Sequence, residues 1–200
     1  MGAQGTASRR AEFAYGRYVA KTALSRLAGE PIPFASIDIT PGVFRQPIAH
    51  VVGRPGLAVS ITHDEAEYAA VAFPAGCPVG IDVHHVRPAA TAVIVEGLTD
   101  AERAWLPPAG AGTSRDETAA ALWAAREALG KALGLGLLVD PDVLEVGDLR
   151  RCADGIHPFH PAGRGATGSA AYPRFPPFAA TLWTGPRAVM ALAHPRKAPR

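Results

Sequence analysis

The sequence predicts an α+β fold in two halves, residues 1–98 and 99–200, each opening on helix and closing on strands. Three observations carry this expectation. A run from Arg9 to about Leu27 has helical spacing. Three short apolar runs with strand-like alternation follow between Leu57 and Val83. A second helical run, Ser114 to about Leu133, precedes further strand-like segments that end at Ala193. No exact repeat is present, so the layout permits an internally duplicated architecture without proving it.

In the first helix Phe13, Ala20, Leu24 and Leu27 share one stripe, and Arg10, Arg17 and Lys21 lie together beside it. Ser8 is placed to cap its start, and Gly29 followed by Pro31 ends it. Leu57–Ile61, Tyr68–Phe73 and Val79–Val83 read as strands, with a turn at Pro74-Ala75-Gly76. A helical patch from about Ala92 to Leu98 precedes Thr99-Asp100-Ala101-Glu102, whose spacing is that of a capping box. Ser114-Arg115-Asp116-Glu117 repeats that signal ahead of the longest helix, which Gly134 and Gly136 should stop. Val143–Val146, Ala179–Trp183 and Ala188–Ala193 read as strands, the last two joined by a turn at Thr184-Gly185-Pro186. From Ala153 to Pro177 the chain is dense in Gly and Pro and has no steady period, which predicts a long loop.

Composition narrows the function classes. Hydrophobic residues make up 48% of the 200, enough for a globular core. With 20 basic and 18 acidic residues the formal charge is only +2, so there is no whole-protein signature of nucleic-acid binding and any basic site must be local. Cys77 and Cys152 form no Cys-x-x-Cys pair, which argues against a thiolate zinc site and fits reduced thiols. The first residues lack the apolar segment of a signal peptide, and no run of ~18 apolar residues spans a membrane. The expected location is the cytoplasm.

Chemistry concentrates at a few positions. On the long helix, at about 100° per residue, Leu122, Ala125, Leu129, Ala132 and Leu133 gather on one side. Glu127 and Lys131 share the opposite side, flanked by Trp123. That pair is either a solvated ion pair or part of a cleft. Asp82 stands among apolar strand residues in Val79-Gly80-Ile81-Asp82-Val83 and needs a partner if buried, which a metal or a hydrogen bond can supply. Magnesium is commonly held by one or two carboxylates with phosphate oxygens beside them, a role open to Asp82 and Glu127 if the fold joins them. His63 ends a strand and can reach a phosphate or simply face water. His84 and His85 are adjacent and point to opposite faces, a poor metal pair.

In combination these segments resemble a known family, the 4'-phosphopantetheinyl transferases. Val79-Gly80-Ile81-Asp82-Val83 resembles their Gly-Ile-Asp signature. Trp123 to Lys131 resembles their Trp-x-x-Lys-Glu-Ala-x-x-Lys signature, and Ser60-Ile61-Thr62-His63 the Ser-(apolar)-Ser-His segment of the larger, Sfp-type members. The likeness runs from about residue 9 to 195. It departs at Arg126, where the signature has Lys, and at His84, where many larger members carry a third acidic ligand. It departs also at Thr62 and Asp64, where serines often stand, and at Arg45, where relatives have Gly before the Gln46-Pro47 segment.

The resemblance implies two similar α+β halves related by a pseudo-twofold axis, with coenzyme A bound between them. It implies transfer of the phosphopantetheine arm of coenzyme A to a serine hydroxyl of an apo acyl or peptidyl carrier protein, leaving adenosine 3',5'-bisphosphate. Asp82 and Glu127 would ligate Mg2+, and Glu127 or a metal-bound water would help deprotonate the serine. Lys131 would neutralise the phosphate under attack. His63, Arg17 and Lys21 would contact phosphates of coenzyme A, and Arg126, about 100° round the helix from Glu127, would bind phosphate or pack at the edge. The carrier is expected to be acidic and the enzyme a monomer, with no nucleic-acid or membrane partner. The alternatives are a non-catalytic relative that binds coenzyme A or a carrier, favoured by Arg126 and His84, and an unrelated metal-dependent phosphohydrolase.

Overall fold

The computed structural model describes residues 3–110, 113–135, 139–156, 164–175, 177–185 and 187–196. In each half one long helix lies across antiparallel strands, the α+β arrangement that the sequence predicts.

Helix α1 (Ala3–Leu27) seals the first half by setting Ala20 and Leu24, both fully buried, against β3 (Leu57–Asp64) and β4 (Glu67–Pro74). Ile37, Ile39, Val51 and Val59 complete that core. Phe13 and Leu27, expected on the same buried stripe, are 59% and 42% exposed. The 25-residue helix is about 37 Å long at 1.5 Å per residue, whereas the eight-residue strands beneath it reach about 27 Å, so its ends overhang. It also begins at Ala3, so Ser8 lies inside the helix rather than at its cap.

Two strands were not legible as such. β1 (Ile37–Pro41) and β2 (Pro47–Val51) pair antiparallel around residues 42–46. Proline closes one strand and opens the other, at the positions where a missing amide does least harm, and it masks the Ile37/Ile39 alternation. Their turn is tightly bonded: the Gly42 amide donates to Gln46 O (2.7 Å), Arg45 N to Gly42 O (2.9 Å) and Phe44 N to the Gln46 side-chain Oε1 (2.9 Å).

The second half is built on a five-stranded antiparallel sheet in the order β5-β9-β8-β7-β6. β5 (Gly80–His85) pairs with β9 (Ala188–Pro195), which pairs with β8 (Phe178–Thr184). A division at 98/99 therefore leaves β5 on one side and its sheet on the other. The capping box at Thr99 forms as expected and starts the short helix α3 (Asp100–Arg103), after α2 (Pro88–Glu96). Helix α4 (Thr113–Ala132) crosses β5 and β9 with an alanine-rich buried face that includes Ala121, Ala124, Ala125 and Ala128. Gly134 ends it in a left-handed conformation (φ 70°), its amide bonding to Lys131 O (3.1 Å) and the next amide, Leu135, to Gly130 O (2.9 Å). The side chain of Ser114 and the whole of Gly136 lie outside the described residues.

Two expectations about the C-terminal part are corrected. Val143–Val146 is no strand: residues Pro141–Leu144 form a 3-10 turn, begun by a proline whose φ suits the first turn of a helix. The predicted loop Ala153–Pro177 contains the end of β6 (Asp148–Ile156) and all of β7 (Arg164–Ala171). β7 is made of Gly, Ala, Ser and Thr after its first residue, so it pairs through its backbone without any apolar alternation to announce it. Residues 157–163 lie outside the described set. Among the described residues no helix is long and apolar enough to cross a membrane.

Candidate active site

The site is assembled where α4 lies closest to β5. Gly80 is the reason it can. A Cβ there would stand 1.9 Å from Ala128 O and 2.5 Å from Ala132 N, so only glycine lets the helix backbone touch the strand. Two residues along, on the same face of β5, Asp82 meets the next turn of that helix. Lys131 Nζ donates to Asp82 Oδ1 at 2.6 Å, and Thr62 Oγ1 donates to the same oxygen at 2.9 Å.

Asp82 is only 6% exposed. Burial pushes its carboxyl above the usual range, while the Lys131 ammonium and the Thr62 hydroxyl pull the other way. Glu127, one turn before Lys131, is pushed up to about 7, first by burial and then by the negative charge of Asp82. The two carboxylates therefore sense each other, and Lys131 partly offsets both. Carboxylate oxygens are hard donors of the kind that Mg2+ takes, and the charge of Asp82 acting on Glu127 is what a cation between them would relieve. Among the described residues no group of three or more His, Cys, Asp or Glu side chains converges as a metal site.

His84 continues the same face of β5 toward Trp123, ring centroids 6.3 Å apart. Burial pushes its imidazole toward the neutral form, and its buried Nε2 has no hydrogen-bond partner. Its Nδ1 is 3.8 Å from Asp64, which also takes a two-oxygen grip from Arg87 Nη2 (2.9 and 2.7 Å).

Between β3 and β5 runs a seam made by side chains. β5 is an edge strand, so its outer amides have no backbone ladder to join. Ser60 Oγ accepts from Ile81 N (3.1 Å), Thr62 Oγ1 from Val83 N (3.2 Å) and Asp64 Oδ2 from His85 N (2.7 Å). Alternate side chains of one strand thus satisfy alternate amides of the other, and they join the two halves directly behind Asp82.

Two adjoining cavities lie between Lys131 and α1. One of about 450 Å³ lies between β2, β3 and the end of α4, with Lys131, Arg45 and Phe44 in its wall. The other, about 360 Å³, lies between α1 and β1–β3, with Arg9, Arg17, Arg45 and His63 in its wall. Arg45, Pro47 and Ile61 line both, so the pair forms one cleft with cations along it. Arg45, at the junction, is held at φ 62°, a left-handed conformation that is unusual for a side chain of its size.

The predicted site residues divide accordingly. Asp82, Glu127 and Lys131 come together. Arg17 and His63 meet in the second cavity, where Arg17 also bonds Ile39 O (3.1 Å) and covers the Phe13 ring, and His63 stacks on Tyr68 (5.5 Å). Lys21 reaches Phe34 O (2.8 Å) and is not among the residues lining either cavity.

Arg126 is a correction. It is 5% exposed and forms a two-pronged ion pair with the fully buried Glu102, with a further bond to Gly97 O (2.6 Å). Glu102 in turn closes the Thr99 capping box and accepts from Val146 N (2.9 Å). The guanidinium braces α3 and the approach to β6, and it does not face the cleft.

Arg45 and Thr62 were noted in the sequence only as departures from a pattern. Thr62 is not marked as a partner of Asp82 because their bond joins two strands 20 positions apart, and the left-handed backbone of Arg45 belongs to a turn that was not legible in the sequence.

A model of the 4'-phosphopantetheinyl transferase superfamily matches residues 78–169, and a model of the 4'-phosphopantetheinyl transferase N-terminal domain matches residues 2–73. The two together span well over half of the chain and meet in the turn that leads into β5. No curated protein matches the sequence.

Proposed function

The chain belongs to the 4'-phosphopantetheinyl transferase superfamily, and from that membership we propose that it moves the phosphopantetheine arm of coenzyme A to a serine of an apo acyl or peptidyl carrier protein. The co-product is adenosine 3',5'-bisphosphate. The observation that carries the proposal is the bond between Asp82 and Lys131 next to Glu127, with Lys131 also in the wall of a cleft that Arg9, Arg17 and Arg45 line.

In this reading the serine oxygen attacks the phosphorus that bears pantetheine. A new P–O bond forms there as the bond to the bridging oxygen breaks, and that oxygen departs on the adenosine bisphosphate. Glu127, whose carboxyl burial and Asp82 push up to about 7 in the metal-free protein, or a water held at the metal, would take the serine proton. Lys131 stands at the wall of the first cavity to neutralise the phosphate under attack. Arg17, His63 and Arg45 take the outer phosphates in the second. Asp82 and Glu127 would hold Mg2+, which when bound supplies positive charge to the pyrophosphate oxygens.

Arginine in place of lysine at 126 does not favour a non-catalytic relative, since that side chain works in a buried ion pair away from the cleft. Arg9 and Arg10, exposed on α1, offer a basic surface suited to an acidic carrier, and both halves of the cleft come from one chain, which fits a monomer.

Incubation with coenzyme A, Mg2+ and a panel of apo carriers tests the proposal. A carrier gaining the mass of one phosphopantetheine arm supports it. No gain with any carrier overturns it, and coenzyme A cleavage without a carrier points instead to a phosphohydrolase.

A further inference from the structure

We propose that Thr62 is a positioning residue of the metal site: its hydroxyl commits Asp82 Oδ1 to the protein and leaves Oδ2 as the oxygen available to a cation. The inference deepens the reading above and rests on Asp82 being a metal ligand.

Thr62 Oγ1 accepts the Val83 amide at 3.2 Å, and its single proton goes to Asp82 Oδ1 at 2.9 Å. The two bonds bracket Asp82 from both sides, one on the backbone of the next residue and one on the carboxylate itself. Thr62 and Asp82 are 4% and 6% exposed, so solvent does not compete. Lys131 Nζ adds a second donor to the same Oδ1. With two donors on one oxygen, the carboxylate's orientation is set before any cation arrives. Partners of this kind, one bond behind a metal ligand, are worth about 10–100-fold in metal affinity or activity.

The seam supplies its own control. Ser60 makes the equivalent bond to Ile81 N (3.1 Å) and is as buried as Thr62, yet it has no bond to Asp82. If the seam acted only by holding the two halves together, losing either hydroxyl would have the same effect.

The experiment titrates the full-length protein with Mn2+ as the probe, following free Mn2+ by electron paramagnetic resonance. It compares wild type with Thr62→Val, Thr62→Ser, Ser60→Ala and Asp82→Asn, with circular dichroism to establish folding. Thr62→Val should bind Mn2+ about tenfold more weakly, while Thr62→Ser and Ser60→Ala stay within about twofold of wild type. Thr62→Ala replaces the valine variant if valine does not fold. Wild-type affinity in the folded variant lacking the hydroxyl overturns the inference. So does a loss in Thr62→Ser or Ser60→Ala as large as that in Thr62→Val. An Asp82→Asn protein that binds like wild type, or a wild type that does not bind at all, overturns the metal reading and this inference with it. That failure is distinct from the first, in which Asp82 matters and Thr62 does not.

Discussion

Lys131 Nζ lies 2.6 Å from Asp82 Oδ1, so the two groups that should handle a cation and a phosphate are already bonded to each other. The ammonium balances a carboxylate that burial would otherwise neutralise. Asp82→Ala and Glu127→Ala should each lower transfer by at least about 100-fold with the fold retained, as measured by carrier mass gain and circular dichroism. Lys131→Ala should also lose transfer and unfold more easily, by about 1–2 kcal/mol, because Asp82 stays buried while its partner is gone. Added Mg2+ should then raise the melting temperature of Lys131→Ala more than that of wild type. Equal shifts in the two proteins contradict the shared role of Asp82.

The pH dependence of stability follows from Glu127. Its carboxyl is near 7 in the fold against an ordinary value of 4.5. Between those values the folded chain keeps a proton that the unfolded chain has released. Stability of the metal-free protein should therefore fall as pH rises from about 4.5 to about 7 and then level off. Asp82, raised by burial, contributes with the same sign. Urea melts across this range should show a shallower slope in Glu127→Gln. Saturating Mg2+ should flatten the wild-type slope as well, since it favours the ionised pair.

Arg45 offers a test in which stability and binding move in opposite directions. At φ 62° a non-glycine residue carries strain of about 1 kcal/mol or more, which glycine does not. Arg45→Gly should leave thermal stability unchanged or raise it by up to about 1 kcal/mol. Calorimetric titration with coenzyme A should at the same time show affinity reduced about tenfold, since the guanidinium stands where the two cavities join. A stabilised variant with undiminished affinity removes Arg45 from the binding reading.

Arg126 should behave in the reverse manner. Its removal strands Glu102 in a site with no exposure, so Arg126→Ala should cost about 3–5 kcal/mol in denaturant unfolding. Coenzyme A affinity of the folded fraction should not change. A selective loss of affinity without loss of stability would restore the phosphate contact that the sequence pattern implies.

These cases mark what the sequence does and does not carry. The helix bearing Glu127 and Lys131 was legible from its apolar residues at helical spacing, although the fold buries it on nearly every side but that of Trp123, Glu127 and Lys131, and the capping box at Thr99 because a cap is a local hydrogen-bond pattern. Asp82 could be singled out as a carboxylate among strand residues, but its partners Thr62 and Lys131 stand 20 and 49 positions away. β7 was invisible because its pairing needs no apolar side chains, and β1 and β2 because prolines flank them. Arg126 was misplaced because a charged residue beside a cleft residue on a helix turns by about 100°, which here leads into the core. Only the position of Glu102, brought from α3, says which way such a charge is satisfied.

Gly80 makes the strongest demand on the fold. The space for a Cβ is filled by helix backbone, Ala128 O at 1.9 Å and Ala132 N at 2.5 Å, and backbone cannot swing aside as a side chain can. Gly80→Ala must therefore push α4 away from β5. That movement carries Glu127 and Lys131 with it, because both are on the turns next to the contact, while Asp82 stays on the strand. We expect destabilisation of about 1–3 kcal/mol from overpacking. Transfer should fall by about 100-fold or more, since displacing a reacting group by about 1 Å can cost that much. The replacement Ala128→Gly should not rescue it, because the clash is with the carbonyl and amide of the helix and not with the alanine methyl. If Gly80→Ala proves as active as wild type, the close approach of α4 to β5 is not what aligns the two carboxylates.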